Sequence, residues 1–221
     1  MRRMDKKLNF YKQEIIRIGQ RLYQKGLIVA TEGNISVKVD ENTLLATSQG
    51  IHKGSMTPGQ IVKTDLKGVK LEGKGEPSSE LKMHLAVYHT RPDVNAVIHA
   101  HPPVGTGFAV AGLALDRFIL PEVVVTLGIV PLLKYATPTT EELAELVSDS
   151  IAQHDALLLA NHGALTVGKD LITAYYKMET LEQFARISLV ARLLGRENVL
   201  PPEAVEKLME LRAQYLRKSS P

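Results

Sequence analysis

Two apolar runs that each end in histidine constrain this chain more than any other feature. Val97-Ile98-His99-Ala100-His101 stops at Pro102-Pro103, and Leu157-Leu158-Leu159-Ala160 stops at Asn161-His162-Gly163. Short apolar runs closed by Pro, Asn or Gly read as buried strands. Side chains two apart on a strand leave from one face, so His99 and His101 can converge on a single metal ion. His162 offers a third imidazole. Three neutral imidazoles leave the fourth position of a tetrahedral zinc for a substrate oxygen, which the ion polarises as a Lewis acid. An HxH pair alone is weak evidence, and the third histidine is what makes the set point to an enzyme. His52, His84, His89 and His154 lack such company and read as surface or helix histidines.

At 221 residues and 44% hydrophobic, the chain suits one substantial core, and a single domain over residues 1–221 is expected. The 27 basic and 24 acidic residues nearly cancel, to +3, and are scattered, which argues against a nucleic-acid partner. With no cysteine, a disulfide frame and thiolate ligation are both excluded. The basic N-terminus leads into Asn9, Lys12 and Gln13 rather than an apolar stretch, so no signal peptide is expected. The apolar run from Phe108 to Leu115 falls well short of the roughly 20 residues that span a bilayer. A soluble, cytoplasmic protein is the expectation.

Helical spacing of Ile15, Ile18, Leu22 and Tyr23 predicts a helix over 8–25 ended by Gly26. Hairpins are expected over 34–47 and 61–72. Pro77-Ser78-Ser79-Glu80 opens a helix to about Thr90 with serine as its cap. Residues 93–101 read as a strand, and a short helix follows to Ala111. Short apolar pieces lie at 123–126 and 129–133, with Pro121-Glu122 reading as a strand entry to the first. Thr139 and Thr140 cap a helix to Ile151, strands run over 156–160 and 164–167, and Asp170 starts a long helix to about Leu194. A last helix follows Pro201-Pro202, within a tail of about 202–221. Strands and helices alternate without a regular βαβ rhythm, which favours a mixed sheet flanked by helices.

Several zinc folds use HxH with a distant histidine. The metallo-β-lactamase pattern needs Asp where Pro103 stands, amidohydrolases place HxH near the start of a longer barrel, and cupins need a downstream Glu where Gly107 and Phe108 lie. None fits. Two upstream segments suit anion binding instead: Gly33-Asn34-Ile35-Ser36 and Pro77-Ser78-Ser79-Glu80 combine small residues with free backbone N–H groups. Taken singly, each reads better as a turn or a cap.

In this order and at these separations, the four motifs resemble the class II aldolase and adducin family over nearly the whole chain. The resemblance implies an α/β, three-layer αβα sandwich with a mixed, largely antiparallel central sheet, and a homotetramer with active sites at subunit boundaries. It makes His99, His101 and His162 ligands of one Zn2+ per subunit. It makes Glu80 the acid/base carboxylate, able also to occupy the fourth metal position, and puts Asn34, Ser78 and Ser79 in a phosphate pocket. The family's phosphate turn appears as Thr47-Ser48-Gln49-Gly50, keeping Thr47 and Gly50 but placing Gln49 where threonine is usual. Tyr215 matches a tyrosine on a tail that closes over a neighbouring subunit's site.

The implied reaction is reversible cleavage of a phosphorylated sugar, a ketose 1-phosphate, to dihydroxyacetone phosphate and a short aldehyde, with L-fuculose 1-phosphate and L-lactaldehyde leading. A sugar-phosphate 4-epimerase would use Asp where Glu80 stands. A methylthioribulose-1-phosphate dehydratase would draw its carboxylate from near Glu122, and an adducin-like binding module would lack the ligands that are intact here.

Overall fold

The computed structural model describes the backbone of residues 2–219 and the side chains of residues 3–214. Eight strands form one sheet: β1 (Asn34–Asp40), β2 (Thr43–Thr47), β3 (Ile61–Thr64), β4 (Lys70–Glu72), β5 (Ala96–Ala100), β6 (Leu132–Leu133), β7 (Ala156–Leu159) and β8 (Gly163–Gly168). Their order across the sheet is β4-β3-β2-β1-β5-β8-β7-β6, antiparallel at every pairing except β6 with β7. The expected mixed, largely antiparallel α/β sandwich is therefore the observed one.

Alternation along the strands divides the core into two layers. On one face, Ile35, Val37, Ile98, Ala100 and Leu158 pack against α1 (Arg2–Gln24), α3 (Pro103–Val110), α4 (Pro121–Thr126) and α6 (Leu171–Leu193). On the other, Leu44, Ala46, Val97, Leu157, Leu159 and Leu165 meet α2 (Leu81–Thr90) and α5 (Glu141–Ile151). A central sheet buried on both faces explains why β5 and β7 read as unbroken apolar runs. In α1, Ile15, Ile18 and Leu22 are fully buried; burial of each such side chain stabilises by about 1.5–3 kcal/mol. Gly26, at φ +67°, ends the turn that follows α1. The last helix, α7 (Pro202–Ser219), packs on α4 and is tied down by Arg212, which donates to Val125 O and to the buried carboxylate of Asp155.

Four local expectations are corrected. α1 begins at Arg2 rather than Leu8, because Arg, Met and Lys sustain a helix without burying it. Tyr23 does not join the buried face of α1; it is exposed and stacks edge-on against His52, ring centroids 4.5 Å apart. Residues 123–126 are helical, since Pro121 at the first helical position and the bonds from Val123 and Val124 N–H to Leu120 O close a turn. α2 starts at Leu81, and neither serine caps it. Ser78 instead belongs to the loop before it, donating its N–H to Thr47 O and accepting from Glu80 N–H at Oγ.

Candidate metal and substrate site

The sheet topology brings the histidines together. β5 and β7 each pair antiparallel with β8, so they run in one direction and end at one side of the sheet. His99 and His101 sit at the end of β5 and His162 in the turn after β7. Asn161 takes the left-handed conformation of that turn, φ +57°, which Asn tolerates better than most residues. Two glycines let the neighbouring chain close in: a Cβ on Gly163 would lie 2.6 Å from both Ala100 O and His101 Cδ2, and one on Gly33 would lie 2.7 Å from His99 O. Gly33 thus serves the packing of β5, where the sequence suggested anion contact.

The Nε2 atoms of His99 and His101 face each other at 3.1 Å, and ligand atoms of all three rings fall within 4.8 Å of one another. The Nδ1 of His99 lies 3.0 Å from Ala164 O, which can only accept, so that nitrogen carries the proton. His101 Nδ1 faces the Glu32 carboxylate at 3.1 Å and is protonated for the same reason. Neutral rings arranged this way aim two Nε2 lone pairs at each other, a repulsive contact unless a cation joins them. Burial lowers His99 to about 3 against the opposing charge of Glu80, and burial also lowers His101 against Glu32, so both stay neutral at pH 7. Two nitrogens each about 2.0–2.1 Å from a tetrahedral ion sit about 3.3 Å apart. The donor set therefore fits a divalent metal, and imidazole ligands suit zinc, copper, iron or nickel.

Glu80 faces this cluster from the residue before α2. Its Oε2 accepts from Asn34 Nδ2 at 2.7 Å and lies 3.4 Å from His99 Nε2; its Oε1 lies 3.1 Å from His162 Nε2, outside hydrogen-bond alignment. The register explains the meeting, because Asn34 and His99 are cross-strand partners on the α2 face. Burial pushes the Glu80 carboxyl up, but His162, His99 and the Asn34 amide more than offset it and hold the group below the usual carboxylate range. Farther along the same helix face, His84 and Tyr88 are both buried and share the hydroxyl of Ser36, each at 2.7 Å. His84 is therefore a core histidine on a helix, not a surface one.

The two loops of the expected phosphate pocket are joined. Gln49 N–H donates to Glu76 O, Ser78 N–H donates to Thr47 O, and Ser48 bridges to Pro77 as an isolated β contact. Thr47 is fully buried and its Oγ1 accepts from Ile35 N–H, while Gly50 at φ +67°, Gln49 and Ser79 are exposed. Asn34 is 4% exposed, with its amide committed to Glu80. Glu122 is exposed in the first turn of α4. Tyr215 falls within the backbone span of α7, and its side chain lies outside the described residues.

Sequence reasoning missed two charged residues beside the site. Glu32 sets its carboxylate against His101 Nδ1. Lys53 is 2% exposed and donates to Thr31 O at 2.5 Å; burial lowers its ammonium to about 8, opposed by the charges of Glu80 and Glu32. Neither sits in a periodic pattern that could have drawn attention to it.

The fold and site together define a class. The family model for the Class II Aldolase and Adducin N-terminal domain matches residues 13–189, and the chain belongs to this family. An L-fuculose phosphate aldolase of Methanococcus maripaludis is 36% identical over 180 residues, spanning 80% of this chain and 95% of that protein. A 3-oxo-tetronate 4-phosphate decarboxylase of Escherichia coli K12 is 33% identical over 183 residues, spanning 81% and 86%. Among solved structures, an L-fuculose 1-phosphate aldolase superposes with a TM-score of 0.84 at 36% identity, covering 90% of this chain and 94% of that one. YgbL of Escherichia coli does so at 0.84 and 31% identity, covering 92% and 99%. The chain is thus an enzyme of the class II aldolase superfamily, whose aldolases are metal-dependent, and it is similar to aldolases and decarboxylases alike. The described residues include no helix long and apolar enough to cross a membrane.

Proposed function

We propose that the protein is a zinc-dependent aldolase that reversibly cleaves a ketose 1-phosphate to dihydroxyacetone phosphate and a short aldehyde, with L-fuculose 1-phosphate and L-lactaldehyde the leading pair. The observation that carries this reading is the Glu80 carboxylate, held by Asn34 against His99 and His162. His99, His101 and His162 would hold the ion, which when bound supplies a Lewis acid for substrate oxygens that gain negative charge. Glu80 moves the carbon-bound proton: in synthesis it removes one from C3 of dihydroxyacetone phosphate while the aldehyde oxygen takes one from solvent, and in cleavage the hydroxyl beside the breaking bond releases its proton to solvent and Glu80 returns one to C3. Asn34 keeps the carboxylate ionised and aimed. Ser78, Ser79, Gly50 and the backbone of the Thr47–Gly50 turn receive the phosphate, with Gln49 exposed above them.

The whole chain acts as one class II aldolase/adducin-like domain in the cytoplasm, assembled as a homotetramer with sites at subunit boundaries. Tyr215, on the tail beyond the matched residues, closes over a neighbour's site. The exposed apolar end of α6, with Leu193 at 78% and Leu194 at 81%, supports subunit contact. Sedimentation giving a stable, active monomer would contradict this part.

A decarboxylase reading is favoured by the relatives of that name. The chemistry differs in what leaves: loss of carbon dioxide from a 3-oxo acid phosphate, like retro-aldol cleavage, places negative charge on the retained oxygen atoms. Incubation with dihydroxyacetone phosphate and a panel of aldehydes tests the choice. New carbon–carbon bonds support the aldolase; carbon dioxide release from 3-oxo-tetronate 4-phosphate, with no aldol product, supports the decarboxylase.

A further inference from the structure

We propose that Glu32 is a positioning residue for the metal-facing ring of His101, and that Lys53 is the strut holding the Glu32 loop in place. The inference rests on the metal reading above and deepens it. The three rings are oriented by different means. His99 is fixed by a backbone carbonyl, Ala164 O. His162 Nδ1 is buried without a partner among the described residues. Among the described residues, His101 is the ring whose Nδ1 is held by a side chain, 3.1 Å from Glu32 Oε2. A carboxylate that accepts the Nδ1 proton selects the tautomer with a free Nε2, turns the ring, and raises its basicity toward a cation.

The loop carrying Glu32 is built to keep that contact. It opens on Ala30 at φ +46° and closes on Gly33 at φ +68°, so two of its four residues are left-handed, one of them against the preference of an L side chain. Gly33 backs onto His99 O, leaving the loop no room to move toward β5. Lys53, from a short 3-10 turn at Lys53–Ser55, reaches under the loop to Thr31 O, the residue adjoining Glu32. A lysine ammonium is seldom buried without compensation. Here the acidic groups of Glu32 and Glu80 provide it, so the strut and the carboxylate it serves are also electrostatically linked. The exposed Glu32 adds nothing to the apolar core, so orientation of His101 is the role its position offers.

The test is the zinc affinity of the full-length protein, measured by competition with a chromophoric chelator at fixed pH, with Zn2+ as the only added ligand. Glu32→Ala is expected to weaken zinc binding roughly 10–100-fold while shifting the urea midpoint of the metal-free protein no further than Glu32→Gln, which loses the same charge beside Lys53. Glu32→Gln, whose amide oxygen still accepts the Nδ1 proton, is expected to recover most of that affinity. Lys53→Met is expected to weaken zinc binding in the same direction. In metal-free wild type, the 15N shifts of His101 are expected to report the Nδ1-protonated tautomer, and in Glu32→Ala a tautomer mixture. Zinc affinity of Glu32→Ala within twofold of a zinc-binding wild type overturns the proposal and leaves the metal centre standing. Wild-type protein that binds no zinc overturns both.

Discussion

Asn34 donates its side-chain amide to Glu80 across 2.7 Å, joining the first residue of β1 to the residue before α2 over 46 positions of sequence. The bond favours the charged carboxylate. A hydrogen bond to a charged group is worth about 1.5–3 kcal/mol, so Asn34→Ala is expected to lower kcat roughly 10–100-fold with metal content unchanged. Because that variant loses a contact to the ionised form, the acid limb of its kcat profile should move to higher pH. An unshifted limb with normal kcat would remove Asn34 from the account.

Glu80→Gln should retain metal and lose roughly 10²–10⁴-fold in turnover, the range spanned by positioned acid/base groups. Glu122→Gln should behave as wild type, given its exposed place on α4. The reverse pattern, measured as kcat beside metal content, would favour a dehydratase.

The histidine cluster was legible because each part reads from a local pattern, alternation on a strand and a turn between apolar runs, whereas Glu80 and the two loops drew attention only through the resemblance of the four motifs taken together. Glu32 and Lys53 were not, because their meaning lies in contacts 69 and 22 positions away and their own neighbourhoods read as solvated loop. Residues 123–126 misled for a different reason. Three consecutive valines favour extended backbone, but Pro121 and the Leu120 carbonyl impose a helical turn that local preference does not predict. The mixed sheet flanked by helices was readable from the buried strands and capped helices, with Asp170 and Thr140 capping as expected, while its arrangement as a sandwich came from the resemblance.

His84 makes stability pH-dependent. Burial lowers it to about 4 in the folded protein, with Glu80 opposing, against 6.5 for the ordinary group. Between those values the unfolded chain binds more protons, so its contribution is complete above pH 6.5 and is lost as pH falls toward 4, by ~3 kcal/mol in all. Urea melts of chelator-treated wild type and His84→Gln should differ in slope across this window, the variant being flatter. Parallel pH profiles would contradict the buried, neutral imidazole.

Gly163→Ala should cost about 1–3 kcal/mol, since its Cβ would press on Ala100 O and His101 Cδ2 at 2.6 Å. The displaced ring should also weaken zinc binding. A urea midpoint and zinc affinity both equal to wild type would show that β8 can withdraw from β5 without cost.

The most direct test of the central claim is elemental analysis of the purified full-length protein beside His99→Ala, before and after dialysis against a chelator. About one zinc per wild-type chain is expected, with none retained by the variant and with aldol cleavage lost and restored in step with the metal. Wild-type protein that cleaves its substrate at full rate with no metal bound would contradict the account.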